Sequence, residues 1–139
     1  MDWHYLFISL NGRINRKPYW IGTILLAVAG FLIQYFTLLT LGPLAALVIG
    51  LICLYPSFAL MLKRAHDRNR PTWLIAIFFG LMAAATLVRP DDIDNMTEAP
   101  TLFMIVAIPW ILLSLFFLVD LGFLRGTQGP NRYGPDPLA

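Results

Sequence analysis

His66 and Asp67 are the residues of this sequence whose types most readily suggest chemistry, because an imidazole and a carboxylate can share general acid–base catalysis. They lie in a charged segment, residues 61–73, which also contains four Lys/Arg. Residues adjacent in sequence do not face each other on a helix, so adjacency does not make a catalytic pair. No serine or cysteine is evidently paired with His66, and two histidines and one cysteine are too few for a convincing zinc site. We therefore predict no catalytic residue, no metal and no cofactor.

The simpler interpretation of the charged segment is that ion pairs between its own side chains hold it in place. If a helix continues through it, Asp67 faces three cations about one turn away: Lys63, Arg64 and Arg70. His66 would then face Arg70. The alternative is an enzyme or transporter in which the arginines clamp a phosphate-bearing ligand and His66 moves a proton. An enclosed polar pocket that reaches His66 and Asp120 would favour this alternative, whereas a flat basic face would favour an interaction surface.

The elements that must position these residues are those of a membrane protein. Of the 139 residues, 58% are hydrophobic and 13% are charged, and the mean hydropathy is +0.70, so the chain is more apolar than a soluble domain of this size. The charged segment would be costly in hydrocarbon and must lie at a membrane face. The single cysteine, Cys53, excludes an intramolecular disulfide. The sequence predicts one integral-membrane domain over residues 1–139.

Four apolar runs predict an all-α membrane protein with four transmembrane helices in an antiparallel bundle. The predicted spans cover about residues 19–40, 44–62, 72–88 and 101–119, with a loop at 63–71 and a polar tail at 120–139. Leu41, Gly42 and Pro43 leave only a tight turn between the first two spans, which must therefore form an antiparallel hairpin. The tail has too many glycines and prolines for regular structure.

Residues 1–10 predict a short helix in the membrane interface, because four apolar residues recur on one helical face: Trp3, Leu6, Phe7 and Leu10. A disordered start is one alternative, since ten residues are marginal for an isolated helix. A signal peptide is another, because cations at positions 13, 16 and 17 precede an apolar run. That run continues through Leu41, however, which favours a spanning helix.

Small and polar residues form a stripe on each of the first two spans. The first stripe consists of Thr23, Ala27, Gly30, Gln34 and Thr37. The second consists of Ala46, Gly50, Cys53 and Ser57. Such stripes let helices approach closely in lipid, so we expect the two spans to pack there and Gln34 to form an interhelical hydrogen bond. A role of Gln34 in a transport pathway is the alternative.

The distribution of charge predicts the orientation in the membrane. Nine Lys/Arg lie before the first span, in the middle loop and in the tail, against Arg89 alone on the opposite side. With Asp and Glu included, the first side carries 9 − 4 = +5 and the second 1 − 4 = −3. The positive-inside rule therefore predicts that both termini are cytoplasmic.

The segment 89–100 on the opposite side is acidic and contains prolines near both ends. A calcium site is conceivable from its four carboxylates, those of Asp91, Asp92, Asp94 and Glu98. Their spacing does not match the EF-hand loop, however, and we predict a solvated loop without metal.

Three motifs resemble those of a known family. The first is Gly12-Arg13-x-x-Arg16-x-x-Tyr19-Trp20, the second is Lys63-Arg64-x-His66-Asp67 followed by Trp73, and the third is Gly126-x-x-Gly129-Pro130-Asn131-Arg132-Tyr133-Gly134-Pro135-Asp136-Pro137. In this order, between apolar spans, they resemble the DUF805 family of small bacterial inner-membrane proteins, named for lacking an assigned function. Lys63 stands where the family more often has arginine, and Pro71-Thr72 where a Ser-Gly pair is usual. The resemblance covers nearly the whole chain and implies a protein of the bacterial cytoplasmic membrane, but it supplies no reaction.

The predicted topology brings the three motifs to one cytoplasmic surface. Basic residues would ring this surface, with aromatic residues at headgroup level. The candidates for contact with headgroups or a ligand are Arg13, Arg16, Tyr19, Trp20, Lys63, Arg64, His66, Asp67, Arg68, Arg70, Trp73, Asn131, Arg132 and Tyr133, and Arg125 belongs to the same ring. The expected partners are anionic membrane lipids, with a protein partner or a second copy as alternatives and no nucleic acid. The charges could instead serve only as topology signals.

Asp120 lies at the end of the fourth span, where a carboxylate needs a partner. Three arginines project from the predicted ends of the other spans at the same level: Arg13, Arg16 and Arg64. We expect Asp120 to form a structural ion pair with one of them. The alternative is that its carboxylate merely reaches the water of the headgroup region.

Overall fold

The computed structural model describes residues 2–87 and 101–138. Its helices are α1 (Trp3–Phe7), α2 (Arg16–Leu41), α3 (Pro43–Asp67), α4 (Thr72–Leu87) and α5 (Thr101–Phe117), and a π-helical segment, Leu118–Phe123, continues α5. The all-α fold is confirmed, with four long helices in a bundle. The predicted acidic loop at 89–100 and the last residue of the predicted third span, Val88, lie outside the described residues.

Within the described part of the chain, three helices are long and apolar enough to cross a membrane. They are α2, α3 and the combination of α5 with its π-helical segment, with mean hydropathies of 2.1, 2.3 and 2.8 in their most apolar windows. α4 is also apolar, and its 16 described residues extend over about 24 Å at 1.5 Å per residue. α4 contacts α3 on one side and α5 on the other.

α2 and α3 form the hairpin that the sequence predicts. Gly42 connects them with a φ of 83°, which favours glycine, and Pro43 follows at the first position of α3, where its missing N–H has no cost. The two stripes meet near this turn, where Gln34 Nε2 donates to the carbonyl of Ala46 at 3.0 Å. Farther from the turn the helices leave space, since nothing lies within 4 Å of a Cβ added at Gly30. The stripes therefore pack closely over only part of their length.

α3 continues to Asp67, through part of the segment predicted as a loop at 63–71. The connection to α4 is reduced to residues 68–71, in which Asn69 has a φ of 55°. The prediction ended the helix too early because it assumed that charged side chains here must face water. They are instead buried against other parts of the protein, and cations in a last turn interact favourably with the helix dipole.

The fourth predicted span also ends differently, since α5 passes at Leu118 into a π-helical segment that extends to Phe123. Trp20 of α2 packs directly on this segment. A Cβ added at Gly122 would lie 2.8 Å from the Trp20 ring, so glycine permits the close approach. The predicted irregular tail thus begins only at Leu124 and contains one isolated β-bridge, between Asn131 and Gly134.

The end of the bundle opposite the Gly42 turn contains all three motifs, and we call residues 2–20, 63–73 and 120–138 the motif end. α1 is shorter than the ten residues predicted and packs against α3 through Leu6. The Tyr55 hydroxyl donates to the carbonyl of Ile8 at 2.8 Å, which fixes the segment after α1. A second apolar cluster closes the bundle beneath the motif end and consists of Leu62, Ala65, Ile75, Phe117 and Leu121.

Candidate functional site

Asp67, the last residue of α3, is the centre of a buried network of charges. Its Oδ1 accepts from Arg13, with Nε at 3.2 Å and Nη2 at 3.0 Å, and its Oδ2 accepts from Nη1 of Arg64. Arg13, Arg64 and Asp67 are 4%, 0% and 2% exposed. The sequence predicted Arg64 as a partner, but it also predicted Lys63 and Arg70, whose side chains contact other groups. Two guanidinium groups therefore share one carboxylate inside the protein.

Arg13 directs its remaining donors to the C-terminal tail. Nη1 donates to the carbonyls of Gly129 at 2.8 Å and Gly134 at 3.2 Å. Nη2 donates to the carbonyl of Thr127 at 2.6 Å and to its hydroxyl at 3.1 Å. Thr127 in turn donates to the carbonyl of Asp67 from its N–H at 2.8 Å and from its hydroxyl at 3.0 Å. One arginine of the first motif thus joins the second and third motifs.

Five consecutive carbonyl groups, those of residues 121–125, each accept a hydrogen bond from a side chain of another element. Arg64 donates to Leu121 from Nε at 2.7 Å and to Leu124 from Nη2 at 2.6 Å. The other three carbonyls also have donors: Trp20 donates to that of Gly122, Arg16 to that of Phe123, and Arg68 to that of Arg125. The end of a helix leaves such carbonyls without intrahelical partners, and cations there are favourable. The first two motifs therefore cap the last helix.

Asp120 forms ion pairs with Arg68 and Arg70 of the α3–α4 loop. Its Oδ1 lies 3.0 Å from Arg68 Nη2 and 2.7 Å from Arg70 Nη2. The prediction that the partner is Arg13, Arg16 or Arg64 is wrong, because these three are held by Asp67 and by the carbonyls of residues 121, 123 and 124. The hydrogen bond to Asp120 raises the pKa of Arg70. The side chains of Arg68 and Arg70 are 19% and 38% exposed, so water partly screens these pairs.

His66 stacks on Tyr133, with ring centroids 3.8 Å apart and an interplanar angle of 10°. Its Nδ1 donates to the carbonyl of Gly12 at 3.2 Å, which leaves Nε2 of a neutral ring to accept from the Thr72 hydroxyl at 3.2 Å. The sequence placed His66 opposite Arg70, but His66 contacts Tyr133, Gly12 and Thr72, and Arg70 pairs with Asp120. Both ring nitrogens therefore have protein partners.

Lys63 is fully buried and has no carboxylate within 4 Å in the described parts of the chain. Its Nζ donates to the carbonyl of Ser9 and lies 5.5 Å from the centroid of the Tyr5 ring. Lys63 thus holds the segment after α1. Arg13, Lys63 and Arg64 do not line an exposed surface, contrary to the ring of cations that the sequence predicted.

The third motif closes over the end of α3. Asn131 Nδ2 donates to the carbonyl of His66 at 2.9 Å, and the Tyr133 hydroxyl donates to that of Arg70 at 2.9 Å. Arg132 Nη2 donates to the carbonyl of Asn69 at 3.1 Å. The tail therefore caps α3 in the way that the arginines cap the last helix.

Asp136 stabilises the fold of the tail itself. Its carboxylate accepts from the N–H of Leu138 at 2.9 Å and from that of Gly129 at 2.8 Å. These hydrogen bonds lower the pKa of Asp136. Neither Thr127 nor Asp136 was among the site residues predicted from the sequence, although both lie within or beside the third motif.

The exposed cations of the motif end are Arg16, Lys17, Arg125 and Arg132. Arg16 and Arg132 each donate to a carbonyl. Within residues 2–87 and 101–138, the side chains of Lys17 and Arg125 make no hydrogen bond and no ion pair. Arg16 and Arg125 line the same small cavity of about 30 Å³. Lys17 was not among the site residues predicted from the sequence, although it lies inside the first motif.

The aromatic candidates are divided between surface and interior. Trp73 is 59% exposed at the start of α4, as expected of a residue at headgroup level. Trp20 is half-buried, and its Nε1 donates to the carbonyl of Gly122 at 2.9 Å. Tyr19 packs against both apolar clusters and faces a cavity between the helices.

Neither His66 nor Asp120 lines any of four well-formed cavities around the described residues. Among those residues there is also no group of three His, Cys, Asp or Glu side chains placed to hold a metal ion. The geometry of the motif end is therefore that of a closed, internally bonded cap with cations on its outside.

Comparison with known proteins agrees with this architecture. Residues 7–135 match a family described as "Protein of unknown function (DUF805)". In Escherichia coli K12, the inner membrane protein YhaI is 30% identical over 131 residues, covering 94% of this chain and 87% of YhaI. The uncharacterized protein YiiR is 33% identical over 136 residues, covering 92% and 85%. The inner membrane protein YhaH is 26% identical over 147 residues, covering 99% and 97%.

No solved structure matches the chain. The family match covers the first two motifs and the third as far as Pro135, and two of the relatives named above are inner membrane proteins, in keeping with the apolar helices α2, α3 and α5. The chain is therefore an integral inner-membrane protein that belongs to the DUF805 family.

Proposed function

We propose that the motif end of this protein faces the cytoplasm and binds anionic lipid headgroups through its exposed cations. The observation that carries the proposal is the division of the basic residues into two sets. Arg13, Lys63 and Arg64 are buried and engaged inside the protein. The cations at positions 16, 17, 125 and 132 remain exposed, and these are the best placed to reach a lipid phosphate.

The motif end keeps a positive charge after its internal ion pairs are counted. Its nine Lys/Arg and four Asp give 9 − 4 = +5. Each buried aspartate is shared by two arginines, so neither ion-paired cluster is neutral. A basic residue near an anionic membrane surface contributes about 1 kcal/mol to binding. The excess of nine Lys/Arg on this side over Arg89 alone on the other supports a cytoplasmic position, where anionic headgroups are present.

Exposed aromatic residues at the motif end support contact with the bilayer. Trp3, Trp73 and Phe123 are 52%, 59% and 61% exposed. Tryptophan is enriched where headgroups meet hydrocarbon, because its ring is apolar and its N–H is polar. The cations and these rings would therefore contact the same layer of the membrane.

An enzyme or transporter for a phosphate-bearing ligand receives less support. Such a protein would need a polar cavity that reaches His66 and Asp120, and neither residue lines a cavity described above. The arginines that would clamp a phosphate are bonded to aspartates and carbonyl groups instead.

The test compares an anionic and a zwitterionic lipid. The full-length protein in mild detergent would be titrated with phosphatidylglycerol or phosphatidylcholine, and bound lipid counted by native mass spectrometry. Lys17→Gln/Arg125→Gln removes two exposed charges without breaking a side-chain hydrogen bond. We expect it to weaken phosphatidylglycerol binding at low salt by about 2 kcal/mol, roughly 30-fold, and to leave phosphatidylcholine binding unchanged.

The control is the charge-retaining variant Lys17→Arg/Arg125→Lys, which should bind as the wild type does. Binding of phosphatidylglycerol should also weaken as salt is raised, because the charges involved are exposed. Equal affinity of the wild type and the Gln variant would contradict the proposal.

A further inference from the structure

We propose that the preferred ligand of the motif end is a lipid whose headgroup is a phosphate monoester, held between Arg16 and Arg125 at the small cavity that both residues line. The assignment rests on the proposed function, since it specifies one headgroup among the anionic lipids that the exposed cations bind. Three elements meet at this cavity, because Arg16 begins α2, Arg64 belongs to α3 and Arg125 follows the π-helical segment.

Arg16 and Arg125 are exposed cations without a counter-charge. Neither guanidinium group lies within 4 Å of a carboxylate in residues 2–87 and 101–138. Arg16 uses only Nη1, which donates to the carbonyl of Phe123 at 3.0 Å and so keeps its side chain close to the segment that carries Arg125. The Arg125 side chain makes no hydrogen bond within the same residues. Each arginine therefore keeps a free pair of N–H donors, and such a pair matches the spacing of phosphate oxygens.

The charges around the cavity match a doubly charged anion. The buried Arg64 and Asp67 also line it, as does Asp136. Both carboxylates already accept hydrogen bonds, Asp67 from two arginines and Asp136 from two backbone N–H groups. With Arg13, which is bonded to Asp67, four arginines and two aspartates give 4 − 2 = +2. A phosphate monoester carries about −1.5 to −2 at pH 7 and balances this charge, whereas a phosphodiester carries a single negative charge.

The N-terminus of α2 lies at the same cavity and has no cap. Asn15, the N-cap residue, lines the cavity but makes no side-chain capping hydrogen bond. The N–H groups of Arg16 and Lys17 have no acceptor in the parts of the chain that the structure describes. An N-cap side chain usually accepts from such groups, and in its absence an anion can do so with support from the helix dipole.

The size of the cavity fits one oxygen atom of a phosphate group. Its volume of about 30 Å³ has room for about two water-sized groups at most. The rest of a bound phosphate therefore stays outside, between the two exposed arginines. A monoester has three oxygens free of ester bonds, enough for the cavity and for each arginine. A diester has two, so one of the three positions would lack an oxygen.

The surroundings of the cavity favour a lipid over a soluble phosphate ester. Leu138 lines the cavity and is 64% exposed. Phe123, whose carbonyl accepts from Arg16, is 61% exposed and is the last residue of the membrane-spanning helix Thr101–Phe123. The phosphate site thus lies at the end of a membrane span beside exposed apolar side chains. Acyl chains can cover these side chains, and a soluble ester cannot.

The test compares two dioleoyl lipids on the full-length protein in mild detergent at pH 7, with bound lipid counted by native mass spectrometry. Phosphatidic acid is the monoester and phosphatidylglycerol the diester. We expect phosphatidic acid to bind about tenfold more tightly, from one additional charge-assisted hydrogen bond. Glycerol 3-phosphate carries the same monoester without acyl chains, and an equimolar amount should leave phosphatidic acid bound. Displacement by it would overturn the assignment to a lipid.

Two variants locate the phosphate. Arg125→Lys keeps the charge but loses the paired N–H donors, so it should abolish the preference for phosphatidic acid and leave phosphatidylglycerol binding unchanged. Lys17→Arg lies in the same motif but does not line the cavity, and it should keep the preference. Asn15→Asp keeps a good N-cap and adds a carboxylate where the phosphate would lie. It should weaken phosphatidic acid binding by about tenfold or more.

The outcomes separate this assignment from the proposed function. Equal affinity of the wild type for the two lipids would overturn the assignment and leave the proposed function intact. A preference that survives in Arg125→Lys, or phosphatidic acid binding unchanged in Asn15→Asp, would also overturn it, because the phosphate would then lie elsewhere. Failure of the proposed function would appear instead as phosphatidylglycerol binding that does not depend on the exposed charges.

Discussion

Replacing Asp67 by asparagine removes the carboxylate between two buried guanidinium groups and leaves the shape of the side chain unchanged. Three charge-assisted hydrogen bonds end on this carboxylate, two from Arg13 and one from Arg64. The amide oxygen can still accept from Arg13, but the amide N–H₂ then faces the Nη1 donor of Arg64. Because the three side chains are at most 3% exposed, water cannot replace the lost contacts. We expect the free energy of unfolding to fall by about 3–5 kcal/mol.

Asp120→Asn is the matched comparison, because it is the same change at the other carboxylate shared by two arginines. The side chains of Arg68 and Arg70 are 19% and 38% exposed, so they can be hydrated when the ion pairs are lost. We expect a loss of about 1 kcal/mol. Unfolding would be followed by tryptophan fluorescence in mixed detergent micelles, which the four tryptophans of the chain permit.

A double-mutant cycle tests the physical reason for the difference. Arg13→Gln relieves part of the uncompensated charge that Asp67→Asn creates, so the double variant should lose less than the sum of the single losses, by about 0.5–3 kcal/mol. Equal effects of Asp67→Asn and Asp120→Asn, or strict additivity with Arg13→Gln, would refute the view that burial makes the Asp67 network the stronger of the two.

Three further predictions follow from other parts of the molecule. Gly126→Ala should strongly destabilise the protein in thermal unfolding, because the added Cβ would lie 2.0 Å from Oδ2 of Asp67. Gly30→Ala is the control and should be neutral or stabilising, because nothing lies within 4 Å of its added Cβ. Similar effects of the two substitutions would contradict the packing described. Backbone hydrogen bonds to the Asp136 carboxylate hold its pKa in the folded protein below its value in the unfolded chain, which is about 4. These bonds therefore stabilise the folded protein fully above about pH 4, and this stabilisation is lost as pH falls through the lower pKa of the folded protein. In the wild type, the amides of Gly129 and Leu138 should lose protection from hydrogen exchange below about pH 4. In Asp136→Asn their protection should not change in this pH range, and the same pH-dependent loss in the variant would exclude Asp136 as its cause. A reporter active only outside the cytoplasm should be silent when fused to the C-terminus and active when inserted near Asn95, and the reverse pattern would contradict the orientation predicted from the charges.

The main features of the fold could be predicted from the sequence because they depend on composition over long stretches. Apolar runs located the long helices to within a few residues, and Gly42-Pro43 identified the hairpin. The end of α3 was misplaced because the number of charges in a segment shows how unfavourable it would be in lipid. It does not show whether those charges form ion pairs and hydrogen bonds inside the protein. The i,i+3 spacing of Arg64 and Asp67 is compatible with a helical ion pair and was the signal that could have extended the helix.

The partners within the site were harder to predict than its location. Many arginines and two aspartates at one level of the bundle allow many pairings, and sequence spacing does not choose among them. The capping of carbonyls at residues 121–125 leaves no signal in composition, because every residue has a carbonyl group. The small residues of the two stripes were likewise ambiguous, since Thr23 and Ser57 suit close packing and an open cavity equally well.

The long sequence separations within the buried network determine the order in which this protein can be assembled. Arg13 bonds to carbonyls 116 and 121 residues later in the chain, and Arg64 to one 57 residues later. While the chain is being synthesised, these arginines have emerged and their α-helices can insert, but the acceptors of the tail do not yet exist. The guanidinium groups must then remain hydrated at the membrane surface until residues 121–134 arrive. Residues 121–134, which are translated after all the membrane helices, thus allow Arg13 and Arg64 to be buried, so maturation of the membrane domain must wait for this segment.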